Sequence, residues 1–268
     1  MPIAMLRPDD SRPVAKVLSV VMPAYNEEPT LRESVRAVVD NVPDLLELVL
    51  VNDGSKDGTA RIADELARED SRVRVIHHQV NQGKTAALRT GFAATRGDVV
   101  IVQDADLEYD PSEIAAVIDP ILRNQADVVF GSRFMVRKAA RVLYFYHFLA
   151  NKALTFMSNV FTNVNITDVE TCYKAFRGEI IRNMKITSTG FGFEIEVTAK
   201  ICKLKCRMYE VPISYYGRTY AEGKKIGFKD GLAAGWYIIR YNLFCSTAES
   251  FERIPELPGR RGSGHSSS

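Results

Sequence analysis

Two carboxylates two residues apart close an apolar run, Val99-Val-Ile-Val-Gln-Asp-Ala-Asp106. If the run is a strand, its period of two aims Asp104 and Asp106 the same way, with Ala105 between them. Such a pair suits a hard cation, Mg²⁺ or Mn²⁺, which takes oxygen ligands together with substrate phosphates. Glu108, two residues further on, is the candidate third ligand. Acidic pairs also end strands as solvated turns, so the triplet by itself leaves both readings open. An EF-hand is excluded, because no glycine occupies the sixth position of the loop.

Two more polar clusters follow apolar runs: Pro23-Ala-Tyr-Asn-Glu27 and Asn52-Asp-Gly-Ser-Lys-Asp-Gly-Thr59. The glycines of the second allow a tight turn and a close backbone approach, and Asp53 can accept hydrogen bonds from a nucleobase or ribose. Ordinary Asx-rich turns are the alternative for each taken singly. Gly83-Lys84-Thr85 has the ending of a phosphate loop, but His78 stands where that motif requires glycine, so a cradle of that kind is rejected. Lys84 remains a candidate phosphate contact.

These clusters need a scaffold that brings them together. Apolar runs at 17–22, 48–51, 73–76, 99–102 and 128–130 lack polar alternation and read as buried parallel strands. Between them, 30–41, 58–70, 84–95 and 111–124 have helical spacing, with Asp57 and Asp110 as capping residues. That alternation predicts an α/β fold, a doubly wound, mostly parallel central sheet with flanking helices. Ligands of such sheets bind beyond the carboxyl ends of the strands, where all three clusters fall. Farther on, the chain predicts a strand over 171–176, a helix over 193–204 and a strand over 207–215, an extension on the acceptor side.

With 268 residues, 46% of them hydrophobic, the chain suits one sizeable domain, expected over 16–245 with halves meeting at 131/132. Residues 1–15 are expected to be a flexible lead-in without a signal-peptide core, and 246–268 a disordered tail rich in Gly, Ser and Arg. Thirty-five basic against 33 acidic residues give no global field for nucleic acid. The four cysteines, Cys202 and Cys206 being a lone pair at helical spacing, read as reduced cytoplasmic thiols rather than a zinc site. No apolar stretch reaches membrane-spanning length. The segment 141–162, aromatic with Arg141, His147 and Lys152, instead predicts a helix lying in a bilayer interface, or one packed in the core or against another copy. His147, His77 and His78 have no partner cluster and are not expected to be catalytic.

Taken in order, the motifs PAYNE at 23–27, NDGSKDGT at 52–59, NQGKTAAL at 81–88, DADLEYDP at 104–111, GSRF at 131–134, TDVETCYKAFR at 167–177, GFGFEIE at 190–196 and YYGRTYAEGKKIGFKDG at 215–231 make the chain similar to glycosyltransferase family 2. Within it the chain resembles the dolichyl- and polyprenyl-phosphate hexose synthases, over roughly 17–244, nearly all of the expected folded chain. The resemblance implies a GT-A fold, inversion at the anomeric carbon and a divalent metal. It implies that Pro23, Tyr25, Glu27 and Asp53 surround the nucleotide, and that Asp104, Asp106 and Glu108 meet the metal. Asp168 matches the carboxylate proposed as base in relatives. Asn52, Thr85 and Ile195 depart from the residues common at those places, Asp, Gly and Pro, and the first leaves the donor base open.

The expected reaction is transfer of a hexose from a UDP- or GDP-sugar to a polyprenyl phosphate, on the cytoplasmic face of a membrane by a peripheral protein. Arg133, Arg218, Lys224 and Lys225 are candidates for lipid phosphate or donor diphosphate, arginine being suited to bidentate contact. A phosphate monoester is largely ionised at neutral pH, so Asp168 is expected to orient as much as to deprotonate. The rival readings are a soluble glycan acceptor with the same chemistry and a sugar-nucleotide-binding module without turnover.

Overall fold

The computed structural model describes residues 18–42, 44–135, 144–190, 192–217 and 228–257. Seven strands form one sheet: β1 (Leu18–Ala24), β2 (Leu45–Asn52), β3 (Val73–His77), β4 (Val99–Val102), β5 (Val128–Ser132), β6 (Lys174–Arg177) and β7 (Met208–Pro212). Their order is β3-β2-β1-β4-β6-β5-β7. All neighbours are parallel except β6, which runs antiparallel to both β4 and β5. The chain winds from β1 outward to β3, then crosses back to place β4 on the other side of β1. That reversal opens a crevice at the carboxyl ends of β1 and β4, the usual ligand position in such sheets.

The central strands are apolar on both faces because helices cover both. Val20, Val21, Met22, Val49, Leu50, Val100 and Ile101 are all fully buried. The covering helices of the first half are α1 (Leu31–Asn41), α2 (Thr59–Glu69), α3 (Lys84–Ala94) and α4 (Ile114–Leu122). Helix α3 lies so close to β1 that a Cβ on Gly91 would sit 2.3 Å from Val21 Cγ1. The second half adds α5 (Phe145–Thr162), α6 (Gly178–Asn183), α7 (Phe193–Leu204), α8 (Phe228–Leu243) and α9 (Thr247–Ser250).

The expected elements fall where the pattern places them, with local corrections. The expected helix 111–124 opens as a 3₁₀ turn, Pro111–Glu113, in which Asp110 caps the amide of Ser112 at 2.9 Å, and α4 follows. Asp57 accepts from the amide of Thr59 at 3.0 Å, one residue ahead of the N-cap position at Gly58. The strand expected at 171 starts only at Lys174, because the buried ammonium of Lys174 turns back to the carbonyls of Val169 and Thr171, at 2.8 and 2.6 Å, and holds 169–171 as a turn. The strand expected over 207–215 is confined to β7, after which Ser214 binds Glu113 through its amide and hydroxyl.

The tail expected to be disordered from 246 is ordered through 257. Ser246 and Glu249 cap α9 reciprocally, Phe251 is buried and bridged to Met184, and Leu257 is buried. A capping box and two apolar anchors suffice to dock this short segment, despite its polar composition. Residues 1–15 and 258–268 lie outside the described residues, as do Arg141, Arg218, Lys224 and Lys225. The four cysteines are free thiols.

Candidate functional site

The first two loops fold onto each other. At the end of β1, Asn26 adopts a left-handed conformation, φ 53°. Its amide donates to Ser55 Oγ at 3.0 Å, its side-chain oxygen accepts from the Lys56 amide at 2.9 Å, and the Glu27 amide donates to Thr59 Oγ1 at 2.9 Å. Pro23, Tyr25 and Glu27 thus line one half-buried wall beside the 52–59 loop. Gly54 is required there: its φ is +66°, and a Cβ would meet the Val80 carbonyl carbon at 2.5 Å.

Asp53 is placed differently from a residue that reads a base. It is buried, and its carboxylate accepts from the amides of Gln82 (3.0 Å) and Gly83 (2.7 Å), from Asn81 Nδ2 (2.9 Å) and from His78 Nδ1 (2.6 Å). Its charge therefore organises the 78–83 loop that launches α3. That loop delivers Lys84, the first residue of α3, into the crevice.

Lys84 Nζ lies 2.9 Å from Asp104 Oδ2 and 3.2 Å from Glu194 Oε1, Glu194 being in the first turn of α7. Burial opposes the ammonium charge, but Asp104 and Glu194 together hold Lys84 well above its ordinary pKa. Burial pushes the Asp104 carboxyl up; Lys84 opposes this, and the like charge of Asp106 reinforces it. A divalent cation between Asp104 and Asp106 would relieve that repulsion, so the two carboxylates fit a hard ion. Ala105 is buried between them.

Glu108 gives one carboxylate oxygen to a different partner. Its Oε2 accepts from the Tyr215 hydroxyl at 2.8 Å, while its amide donates to Asp106 Oδ1 at 3.1 Å. Among the described residues no three carboxylates, imidazoles or thiols are grouped to hold an ion by themselves. The strand spacing expected to align Asp104, Asp106 and Glu108 ends with β4 at Val102, and Leu107 between the last two is left-handed, φ 61°, so the three carboxylates do not follow one strand face.

Across the crevice Arg133, just past β5, grips Asp168 in a bidentate pair, Nε to Oδ2 at 2.6 Å and Nη2 to Oδ1 at 2.7 Å. The Arg133 amide and Asn151 Nδ2 add contacts at 3.2 and 3.1 Å. Burial would raise the Asp168 carboxyl, but the charge and hydrogen bonds of Arg133 win and hold it below the usual range. A fully buried carboxylate bound this way is a poor proton acceptor and a good anchor for the guanidinium. Tyr215 joins the two sides, since its hydroxyl holds Glu108 and its ring lies 5.0 Å from the Arg133 guanidinium carbon.

Helix α5 presents two faces. Asn151, Lys152, Thr155 and Asn159 tie the 166–169 loop, through Asp168 Oδ1, Thr167 O, the Val169 amide and Ile166 O. Elsewhere it exposes Phe145 (67%), Tyr146 (81%), Phe156 (71%) and Val160 (62%), and α8, packed beside it, exposes Leu232, Trp236 and Leu243. Core packing is thereby excluded for those aromatics. No described helix is long and apolar enough to cross a membrane.

Sequence reasoning missed Asn151, Tyr215 and Glu194 as site residues. The 151, 155, 159 spacing of polar side chains in an aromatic helix was a legible signal for the first. Tyr215 and Glu194 fall inside the motifs at 215–231 and 190–196, but nothing local gives their roles, because their partners are 107 and 110 residues away in the chain.

The family model for glycosyl transferase family 2 matches residues 19–184. An undecaprenyl-phosphate mannosyltransferase of Micrococcus luteus is 30% identical over 244 residues, which cover 85% of this chain and 99% of that protein. A polyprenol monophosphomannose synthase of Mycolicibacterium smegmatis is 32% identical over 227 residues, 82% of this chain and 84% of the relative. Among solved structures, a glucosyl-3-phosphoglycerate synthase of Mycobacterium tuberculosis in complex with Mn²⁺ and UDP-glucose superposes with a TM-score of 0.66 at 19% identity, covering 84% of this chain and 79% of that one.

Proposed function

The chain belongs to glycosyl transferase family 2, and we propose that it moves a hexose, mannose or glucose, from a GDP- or UDP-sugar to the phosphate of a polyprenyl lipid, with inversion. The observation that supports this most is the pair of fixed cations on opposite sides of one crevice: Lys84 on Asp104, and Arg133 on Asp168, with Tyr215 reaching from Arg133 to Glu108. A transfer between two phosphate-bearing molecules needs one cation for the leaving diphosphate and one for the attacking phosphate.

In this reading Asp104 and Asp106 hold Mg²⁺ or Mn²⁺. The ion would supply charge neutralisation for the departing diphosphate. Lys84 leans on the same diphosphate, and its two carboxylate contacts fix its position before the donor arrives. Arg133, oriented by Asp168 and Asn151, receives the acceptor phosphate through its remaining donors. That phosphate is already largely ionised at neutral pH, its second pKa being roughly 6, so no strong base is required. Asp168 is then a positioning residue. The exposed aromatics of α5 and the apolar side chains of α8 offer a surface for the isoprenoid and the interfacial region of a bilayer, on the cytoplasmic side.

The test is a panel of radiolabelled UDP-glucose, UDP-galactose and GDP-mannose with polyprenyl phosphate in detergent, run beside soluble glycans and small phosphate monoesters. Label extracted into organic solvent only with the lipid is the expected result. Transfer to a soluble acceptor with the lipid ignored overturns the acceptor; donor binding without any transfer overturns the enzyme reading.

A further inference from the structure

Two carboxylate oxygens in the crevice have no partner. Oε2 of Glu194 is buried without a hydrogen bond although Oε1 of the same group holds Lys84, and the side chain is 6% exposed. Oε1 of Glu170, two residues beyond Asp168, is likewise buried and unpartnered. Glu170 lies two residues from Asp168, and after burial itself the charge of Glu194 acts on it most strongly. Thr171 Oγ1, the next residue, is also buried without a partner. Folded proteins rarely leave such oxygens unmet, since each forfeits hydrogen bonds it had in water.

Their position limits what can meet them. Glu194 adjoins the Lys84 cluster on the diphosphate side, and Glu170 feels Arg133 and Asp168 on the other. A phosphate is repelled by the Glu194 carboxylate, and an apolar group leaves both side chains unsatisfied. An uncharged group rich in O–H donors, lying between Lys84 and Arg133, satisfies both. On the reading given above, that is where the transferred sugar ring belongs.

We propose that Glu170 and Glu194 form the hexose subsite, each accepting a hydrogen bond from a hydroxyl of the transferred sugar, and that they select neutral hexoses against hexuronic acids. The selection follows from charge. A sugar carboxylate placed against the Glu194 carboxylate loses the hydrogen bond and adds like-charge repulsion in a poorly solvated site, and it does the same against Glu170 above about pH 7, where that group is ionised. This rests on the transferase reading and gives Glu170 a role that the phosphate contacts do not.

The experiment compares binding of a nucleotide sugar with binding of its nucleotide alone, by calorimetry at pH 8, where Glu170 is ionised, on the full chain with Mg²⁺ or Mn²⁺ present. UDP-glucose with UDP, or GDP-mannose with GDP, is used according to which donor the wild type turns over. Glu170→Gln and Glu170→Ala are expected to weaken the nucleotide sugar about tenfold or more while leaving the free nucleotide within twofold, the worth of one hydrogen bond to a charged group. Donors lacking single ring hydroxyls should bind the wild type more weakly, and for one of them Glu170→Ala should cost nothing further. Glu194→Gln should narrow the preference for UDP-glucose over UDP-glucuronic acid.

Equal losses for nucleotide and nucleotide sugar, or full additivity with every deoxy donor, overturn the subsite. So does a wild type that binds UDP-glucuronic acid as well as UDP-glucose. If all donors bind as expected but none is transferred to polyprenyl phosphate, the acceptor assignment falls and the subsite stands. Thermal unfolding of each variant separates a lost contact from a lost fold.

Discussion

Replacing Asp168 by Asn removes the charge opposite a buried guanidinium while keeping the shape. The wild-type carboxylate is fully buried and takes four hydrogen bonds, three from Arg133 and one from Asn151. The amide retains one oxygen and points N–H donors at another donor in place of the second. Two charge-assisted hydrogen bonds are compromised and Arg133 is left without its counter-ion. Removing one partner of a buried ion pair costs about 3–5 kcal/mol, a large part of a total stability on the order of 5–15 kcal/mol. Burial excludes solvent screening as a discount. In a chain of this size the loss corresponds to a fall in Tm of roughly 10 °C.

The sign with pH follows from the depressed folded-state pKa of Asp168. Its ionised pairing stabilises fully above the ordinary aspartate value and is lost as pH falls below about 4 towards the folded value. Urea unfolding from pH 3 to 8 should therefore show a gap between wild type and Asp168→Asn that is constant at neutral pH and narrows in acid. At neutral pH the variant should bind nucleotide sugar nearly as well as wild type, turn over at least tenfold more slowly and show a raised KM for lipid phosphate. A stability loss under 1 kcal/mol at pH 7, or a gap undiminished in acid, would refute the charge argument. A wild-type rate that rises through a single ionisation near neutrality, abolished in Asp168→Asn, would refute the positioning role and restore Asp168 as base.

Asp106→Asn should abolish transfer and remove the metal dependence of donor binding, checked by titrating Mn²⁺ against EDTA; an active variant sinks the metal role. Burial and then Glu194 raise the Glu170 carboxyl to about 7, against opposition from Lys174 and Arg133. The folded state thus holds a proton that the unfolded chain releases, so stability falls as pH rises from roughly 4.5 to 7, and Glu170→Gln should stabilise the ligand-free protein at pH 8 by on the order of 1–3 kcal/mol in urea unfolding. Gly54→Ala should cost about 1–3 kcal/mol and weaken donor binding, measured by unfolding and calorimetry, because its Cβ meets backbone 2.5 Å away at a left-handed φ. Replacing the exposed Phe145 and Phe156 by Ser should leave Tm within about 2 °C yet lower co-sedimentation with anionic vesicles about tenfold, and unchanged sedimentation removes α5 from the membrane surface.

Much was legible without the structure because it is carried by local pattern. Unbroken apolar runs ending in polar clusters specify buried strands and the loops beyond them, and β4 runs over the expected Val99–Val102. Helix α7 likewise spans the expected Phe193–Leu204. The Asp104, Asp106 pair, Lys84 at a helix start and the motif order together point to the family and to part of the candidate site. Contacts between distant segments decided the rest. The reversed direction of β6 depends on its place between β4 and β5, which no local periodicity encodes. Asp53 reads as a ligand contact in sequence, yet the 78–83 loop folds over it and consumes both oxygens. Glu108 keeps strand spacing in sequence, but β4 ends at Val102, Leu107 is left-handed, and the hydroxyl of Tyr215 takes one of the Glu108 carboxylate oxygens. Asp168 looks like a base until Arg133, 35 residues away, lowers its affinity for a proton. Residue type and spacing determine which chemistry a side chain is capable of; the electrostatic field and hydrogen bonds of its tertiary neighbours determine whether that chemistry remains available.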